Sequence, residues 1–343
     1  MVRRSFEGRP VEIRRSWKVL AVDDEPQNLE LIRECLGTEG YQIRTVGTAE
    51  EALEILAADP PDVVLADLML PGMSGVELVH RIRQHEDGRL LNIIIMTASR
   101  DHGLLIEAFS AGANEMLAKP FDVMELRVRV RSALSQKRLL DHLEDAESVF
   151  FALARAVEAK DGTTGDHCDR LCVYAVHLGK TLKMGYEDLD TLRRGAILHD
   201  IGKVAIPDEI LLTPRRLTPK EWDVMKTHVT KGADLCKHLR TARATLPIIR
   251  HHHERWDGSG YPDGLKGEAI PRLARVFQIV DVFDALTSRR PYKEPLTVTA
   301  AIKLMQAEQE KQLMEPGLVD AWLSTLQREP YLLRAIQQRC VAG

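Results

Sequence analysis

Short apolar runs alternate with amphipathic stretches over the first 135 residues. "WKVLAVDD" reads as a buried parallel strand ending in acids. "PQNLELIRECLGTEG" follows as a helix, with Pro26 near its first turn and Gly37 as its stop. "YQIRTVG" is a strand, and "TAEEALEILAADP" a helix opened by Thr48 and Glu51 at capping-box spacing. Three more pairs follow: "DVVLAD" with "GVELVHRIRQHED", "NIIIMTAS" with "DHGLLIEAFSAGA", and "EMLAK" with "DVMELRVRVRSAL". Five strand–helix units predict an α/β doubly wound, five-stranded parallel sheet.

The pattern then changes period. From Asp122 to about Lys160 there is no Gly or Pro, and Val128, Leu134, Leu139, Leu143 and Phe150 recur among charges. This predicts one long helix, or two nearly continuous ones, serving as a spacer or as a short parallel coiled coil that pairs two copies. Beyond residue 160 the strand pattern disappears and helices dominate. One is "TPKEWDVMKTHVTKGADLCKHL", with Thr218 as N-cap, Pro219 at N1 and Glu221 at N3. The expected organisation is a basic tail over 1–16, an α/β domain over 17–135, a helical linker over 136–155 and an all-α domain over 156–343.

Composition refines this. A length of 343 residues suits two domains. With 47 basic and 51 acidic residues the net charge is slightly negative, which argues against nucleic acid as a partner. The Arg-rich start lacks the apolar core of a signal peptide, and no apolar run reaches membrane-spanning length. Cys35, Cys168, Cys172, Cys236 and Cys340 contain no CxxC pair and are odd in number, so reduced thiols and a cytoplasmic setting are expected. Cys168 and Cys172 share a helix face and are read as buried filler. Eight of the 12 histidines fall between His167 and His253, so the two halves do different chemistry.

In doubly wound sheets the working residues lie at the carboxyl ends of the strands. Strand one ends in Asp23 and Asp24, strand three in Asp67, strand four in Thr97, and strand five in Lys119. Three converging carboxylates need a cation among them, and an all-oxygen set favours Mg²⁺. A carboxylate beside Mg²⁺ can attack a phosphoryl group while a Lys and a hydroxyl neutralise the transferred oxygens. "VDDE", "DVVLADLMLPGMSG", "MTAS" and "LAKP", in this order and spacing, resemble the receiver domain of two-component response regulators. The resemblance implies that Asp67 accepts a phosphoryl group from a sensor histidine kinase, that Asp23 and Asp24 hold Mg²⁺, and that Thr97 and Lys119 contact the phosphoryl oxygens. One departure is Met116, where the family commonly carries the Tyr or Phe that reports phosphorylation.

The second half offers His167 in "TGDHCDR", His199 and Asp200 in "AILHDIGK", His228 in "KTHV", His252 and His253 in "HHHE", and Asp281 in "QIVDVFDAL". His177 and His238 read as ordinary surface or core residues. A carboxylate in an apolar helix, such as Asp200, needs a cation or donor nearby. Several imidazoles with two carboxylates exceed one tetrahedral site, so two metals about 4 Å apart are the natural use, with Asp200 the bridging candidate. Mixed N/O ligation suits Fe, Mn, Ni or Zn without choosing among them. Lys203, four residues after His199, would share its face on a helix and offset phosphate charge. These residues point to a phosphohydrolase of unspecified substrate.

"TGDHCDR", "LHDIGKVAIPDEIL", "MKTHV", "HHERWDGSGYPDGLKGEAIPRLARV" and "VDVFDALTSRRPYK" resemble the HD-GYP branch of the HD phosphohydrolases. That resemblance implies hydrolysis of cyclic di-GMP to pGpG, or on to GMP, at a two-metal centre. Its ligands would be His199, Asp200, His228, His252, His253 and Asp281, with His167 a further possible ligand. Lys203 would be the catalytic-site lysine alongside Asp200, and Arg290 and Lys293 would contact substrate phosphate. Tyr261, in the signature Gly260–Tyr261–Pro262, would face the substrate or a protein partner. Thr163 stands where some members carry a Glu that binds a third metal, which predicts a stop at pGpG. His251 precedes the motif and is read as a flanking residue; a helical step of about 100° would send His252 and His253 to opposite sides of the centre. Two other readings are an adaptor that chiefly docks partner proteins and a phosphodiesterase for another cyclic dinucleotide.

Overall fold

The computed structural model describes residues 16–85, 88–98, 101–160, 166–289 and 294–342. The predicted tail, Thr163, Arg290 and Lys293 lie outside them, as does the side chain of Cys340. Two compact units, Met1–Asp145 and Ala146–Gly343, make up the chain.

The first unit contains β1 (Lys18–Val22), α1 (Pro26–Gly37), β2 (Gln42–Val46), α2 (Ala49–Ala58), β3 (Val63–Asp67), α3 (Gly75–Gln84), β4 (Asn92–Thr97), α4 (His102–Ala111) and β5 (Glu115–Ala118). All strands are parallel, in the order β2–β1–β3–β4–β5. β3 and β4 are buried along their whole length, as a strand covered by helices on both faces requires. One face packs Leu20, Val64, Ile93 and Ile95 against α2 and α3, and the other packs Val19, Leu65, Ile94 and Leu117 against α1 and against Leu126 and Val130 in the segment after β5. Strand order reverses beside β1, which opens a crevice between the ends of β1 and β3. The Thr48 hydroxyl caps α2 by accepting from the Glu51 amide, but the Glu51 carboxylate reaches the Gly47 amide rather than that of Thr48, so the expected box closes one residue early.

The bridging segment is a single helix, α5 (Val123–Lys160). The anticipated apolar stripe divides along it. Leu134 is buried in the core of the first unit and Phe150 packs against a core of the second, whereas Val128, Leu139 and Leu143 are exposed.

The second unit is helical: α6 (Asp166–Thr181), α7 (Tyr186–Leu198), α8 (Asp208–Leu211), α9 (Pro219–Lys226), α10 (His228–Cys236), α11 (Leu246–His251), α12 (Arg272–Thr287), α13 (Val298–Glu310), α14 (Leu318–Arg328) and α15 (Pro330–Ala342). Its main core stacks Tyr174, Phe283 and Trp322 edge-on between α6, α12 and α14. Three local expectations are corrected here. The helix opened by Thr218 breaks at Thr227, whose hydroxyl bonds back to the Val224 carbonyl. The chain leaves α7 at His199 and enters a 3₁₀ turn, Ile201–Ala205. Lys203 therefore reaches Asp200, three residues back, at 2.7 Å instead of sharing an α-helical face with His199. Finally, α11 ends at His251, so His252 and His253 leave it in a turn, without the helical step expected between them. Among the described residues no helix is long and apolar enough to cross a membrane.

Candidate functional site

At the sheet crevice, Asp23, Asp24 and Asp67 each offer a carboxylate oxygen within 4.8 Å of the others. Asp23 and Asp67 are buried and Asp24 is exposed. One Asp23 oxygen accepts from the Glu25 amide and Asn28 Nδ2, both at 3.0 Å. The Lys119 ammonium spans Asp23 at 2.6 Å and Asp67 at 2.5 Å. Burial alone would lower the Lys119 pKa, but its bonds to these two carboxylates raise it, so it stays charged beside Asp67. Thr97 closes β4, buried, and its carbonyl accepts from the Lys119 amide at 2.7 Å. The crevice thus brings Asp23, Asp24, Asp67 and Lys119 together, with Thr97 bonded to Lys119 through the backbone. A hard divalent cation fits the oxygen-only set.

In the second unit the histidines are aimed by backbone carbonyls. His199 Nδ1 donates to Ala196 O (3.0 Å), His228 Nδ1 to Met225 O (2.8 Å) and His252 Nδ1 to Ile248 O (3.0 Å). A carbonyl only accepts, so each Nδ1 carries a proton and each Nε2 is turned inward. All three carbonyls belong to the last turns of helices, and those of Met225 and Ile248 also accept the Thr227 and His252 amides. Asp200 sits where these rings converge. Its Oδ2 lies 3.3 Å from His199 Nε2, and its Oδ1 lies 3.1 Å from His228 Nε2 and 3.8 Å from His252 Nε2.

Charge and burial oppose each other in this pocket. Burial pulls the His199 pKa down, but Asp200, then Asp281 and Glu158, bring it up to about 9. His252 goes the other way, to about 4, through burial and the neighbouring His199 charge. Burial raises the Asp200 pKa, yet Lys203 and His199 outweigh it and hold the carboxyl well below its usual range. Asp200 Oδ1, His228 Nε2 and His252 Nε2 are buried without a hydrogen-bond partner. Buried polar atoms in that state call for a ligand. With His253 they form one four-membered donor set, and Glu158, His167 and His199 form a second. The two sets meet at the His199–Asp200 step, and both mixed N/O sets fit a transition metal.

The second set includes a residue that the sequence patterns did not single out. Glu158 sits at the end of α5, where it reads as one more charge on a solvated helix. It is 3% exposed, with Oε1 3.2 Å from His167 Nε2, and it takes the Cys168 thiol on its other oxygen. His167 is fixed from behind: its Nδ1 lies 2.6 Å from Asp284 Oδ2, and Arg170 holds the same carboxylate through two contacts of 2.7 and 2.8 Å. Such a carboxylate–histidine pair orients a ligand ring and raises its basicity. Asp281, one turn earlier on α12, faces His167 Nε2 at 3.9 Å. His177 instead pairs with Tyr331 and His238 is exposed, both outside the two sets. Cys35, Cys168, Cys172 and Cys236 are free thiols, and burial pushes Cys172 up to about 11.

The loop after the paired histidines folds over the centre. Buried Glu254 accepts the Asp263 and Leu265 amides at 2.7 and 3.1 Å, and the Tyr261 amide bonds the His253 carbonyl. A Cβ on Gly260 would lie 2.3 Å from the Arg255 nitrogen, so only glycine permits this return. Tyr261 is thereby placed against the His253 ring, centroids 4.9 Å apart, and lines a cavity of about 520 Å³ with Glu158, His167, Asp200, Lys203 and Asp281. His251 turns toward Glu254 and Asp263, with which it forms a further candidate donor group.

A five-stranded receiver sheet bearing an acidic crevice, joined to a helical unit with adjoining His/Asp donor sets, defines a signalling protein with a metal-site output domain. Residues 19–131 match the model of the response regulator receiver domain, and residues 141–317 match that of the HD domain. The chain belongs to the HD-domain family, as a receiver–HD response regulator. It is 36% identical over 328 residues to the cyclic di-GMP phosphodiesterase response regulator RpfG of Xanthomonas campestris pv. campestris, covering 89% of this chain and 86% of the relative. It is 33% identical over 338 residues to a cyclic di-GMP phosphodiesterase of Thermotoga maritima, covering 89% of each. A 3′3′-cGAMP-specific phosphodiesterase of Vibrio cholerae is 37% identical over 187 residues, which is 54% of this chain and 36% of that protein.

Proposed function

We propose that this chain hydrolyses cyclic di-GMP to pGpG at its HD centre, under control of phosphorylation at Asp67 by a sensor histidine kinase. The observation that carries the reading is the pair of buried donor sets meeting at His199–Asp200, with three polar atoms there lacking hydrogen-bond partners. His228, His252, His253 and Asp200 would hold one divalent metal. His199, His167, Glu158 and Asp281 would hold a second, with Asp200 as the bridge. Glu158 supplies a carboxylate in addition to those expected. Fe or Mn suit these ligands, as do Ni and Zn, whereas Mg²⁺ suits the receiver crevice. When bound, the metals would polarise the oxygens of an in-line phosphodiester displacement.

The chain's own groups do the rest. Lys203, beside Asp200, sets a positive charge toward the phosphate. Tyr261 walls the cavity, and Arg290 and Lys293 would bind the second phosphate. Exposed Leu139 and Leu143 on α5 suit a homodimer.

The test is metal analysis of protein purified without oxygen, coupled to product identification. One to two bound transition metals per chain and early accumulation of pGpG are expected; early GMP refutes the stop at pGpG. Turnover should differ between wild type carrying a stable phosphoryl mimic and Asp67→Asn, and equal rates refute the switch. The likeness to the 3′3′-cGAMP enzyme makes that dinucleotide the parallel substrate. A metal-loaded protein that cleaves neither would favour the adaptor reading.

A further inference from the structure

Hydrolysis of a phosphodiester uses the cavity that holds the donor sets. A second cavity of about 440 Å³ opens on the other side of Tyr261 and shares with the first the wall formed by Trp222, His253, Tyr261 and Val282. Nothing in the two-metal chemistry requires it, yet its volume is that of a small-ligand pocket. Gly260, the donor-set residue His252 and the polar side chains of Lys226, Arg255, Ser259 and Gln278 complete its lining.

Trp222 is the notable part of the wall. It is 46% exposed on α9, although indoles are usually well covered. Its ring meets Tyr261 edge to face, with centroids 6.4 Å apart. Its place is secured by the reciprocal Thr218–Glu221 capping box at the first turn of α9. A positioned aromatic lining a cavity can serve as a platform for a planar ring.

Arg255 is exposed and makes no ion pair among the described residues, so its guanidinium fork is available. Two parallel N–H donors match the O6 and N7 acceptors of guanine, a pairing that adenine does not offer. Gln278 is held by donating its Nε2 to the Glu254 carbonyl, which leaves its amide oxygen as an acceptor for guanine N–H groups. Lys226 adds positive charge at the rim, shared with Asp223 at 2.8 Å.

We infer that this cavity is a nucleobase subsite, in which Trp222 stacks one purine of the substrate and Arg255 reads it as guanine. The inference rests on the proposed reading of the chain as a cyclic dinucleotide phosphodiesterase and gives that site its base specificity. A cyclic dinucleotide carries a base on either side of each phosphodiester. With one phosphate at the donor sets, the wall shared by the two cavities lies where the adjacent base would stack.

The test compares full-length, metal-loaded wild type with Trp222→Leu, Trp222→Phe and Arg255→Ala. Each is assayed on cyclic di-GMP, cyclic di-AMP and the base-free diester bis(p-nitrophenyl) phosphate, with bound metal counted. Trp222→Leu should raise KM for cyclic di-GMP roughly 5- to 100-fold while kcat at saturating substrate stays within about twofold, and Trp222→Phe should recover most of the loss. Arg255→Ala should lower the preference for cyclic di-GMP over cyclic di-AMP about tenfold. An unchanged KM in Trp222→Leu, or a loss confined to kcat, overturns the subsite alone. A wild type that cleaves the aryl diester but no cyclic dinucleotide overturns the proposed function, and the subsite with it.

Discussion

Replacing Gly202 with Ala is the sharpest test of how the donor sets are assembled. Gly202 lies in the 3₁₀ turn after Asp200 and faces the start of α10. A Cβ there would come 1.8 Å from the His228 carbonyl oxygen and 2.5 Å from the Gly232 nitrogen. Both are backbone atoms, so no rotamer change relieves the overlap. The turn and α10 must separate by about 1 Å, and a misplacement of that size at a reacting centre costs on the order of 100-fold in rate. It would also break the 3.1 Å approach of His228 Nε2 to Asp200. Overpacking costs about 1–3 kcal/mol, and the rigid partner puts this case at the upper end. Urea unfolding followed by tryptophan fluorescence reads it directly, because three of the four tryptophans (Trp222, Trp256 and Trp322) lie in the second unit. Bound metal and phosphodiesterase rate are measured on the same samples. Gly185→Ala is the control: its added methyl meets nothing within 4 Å, φ is −73°, and the expected loss is below about 1 kcal/mol. The reasoning is refuted if Gly202→Ala unfolds with Gly185→Ala and keeps full metal and activity.

Two further outcomes follow from the same geometry. Asp284→Asn keeps the shape beside His167 but removes the charge that orients it, so metal affinity should fall about 10- to 100-fold in a chelator competition, and unchanged affinity would remove Asp284 from the site's support. Thr218→Ala deletes the α9 capping box and should cost about 0.5–2 kcal/mol in urea unfolding, with Thr218→Ser restoring most of it.

Much of this protein was legible in its local patterns. Alternating apolar runs and amphipathic stretches specify the five strands and their helices, because a parallel strand must be apolar on both faces and a covering helix on only one. The crevice residues were legible for a related reason: strand ends in a doubly wound sheet fall on one edge, so Asp23, Asp67, Thr97 and Lys119 converge once the strands are known. In the second half, the types of the donors could be read, since adjacent His and Asp in apolar surroundings have few other uses.

Their arrangement could not. "TPKEWDVMKTHVTKGADLCKHL" has helical periodicity throughout, yet it breaks at Thr227, where the backbone of Gly202 presses against His228. The same limit hid Glu158, whose burial comes from His167 and Cys168 rather than from its own helix. Sequence alone determined the five strands, the helices that cover them and which residue types can bind metal, because those depend on neighbours a few positions away. Only the tertiary structure decided that Glu158 joins the centre, that helix-end carbonyls aim the imidazoles, and that Trp222 and Arg255 share a second cavity. Each of these depends on segments far apart in the chain meeting within a few ångströms, a distance that no local periodicity encodes.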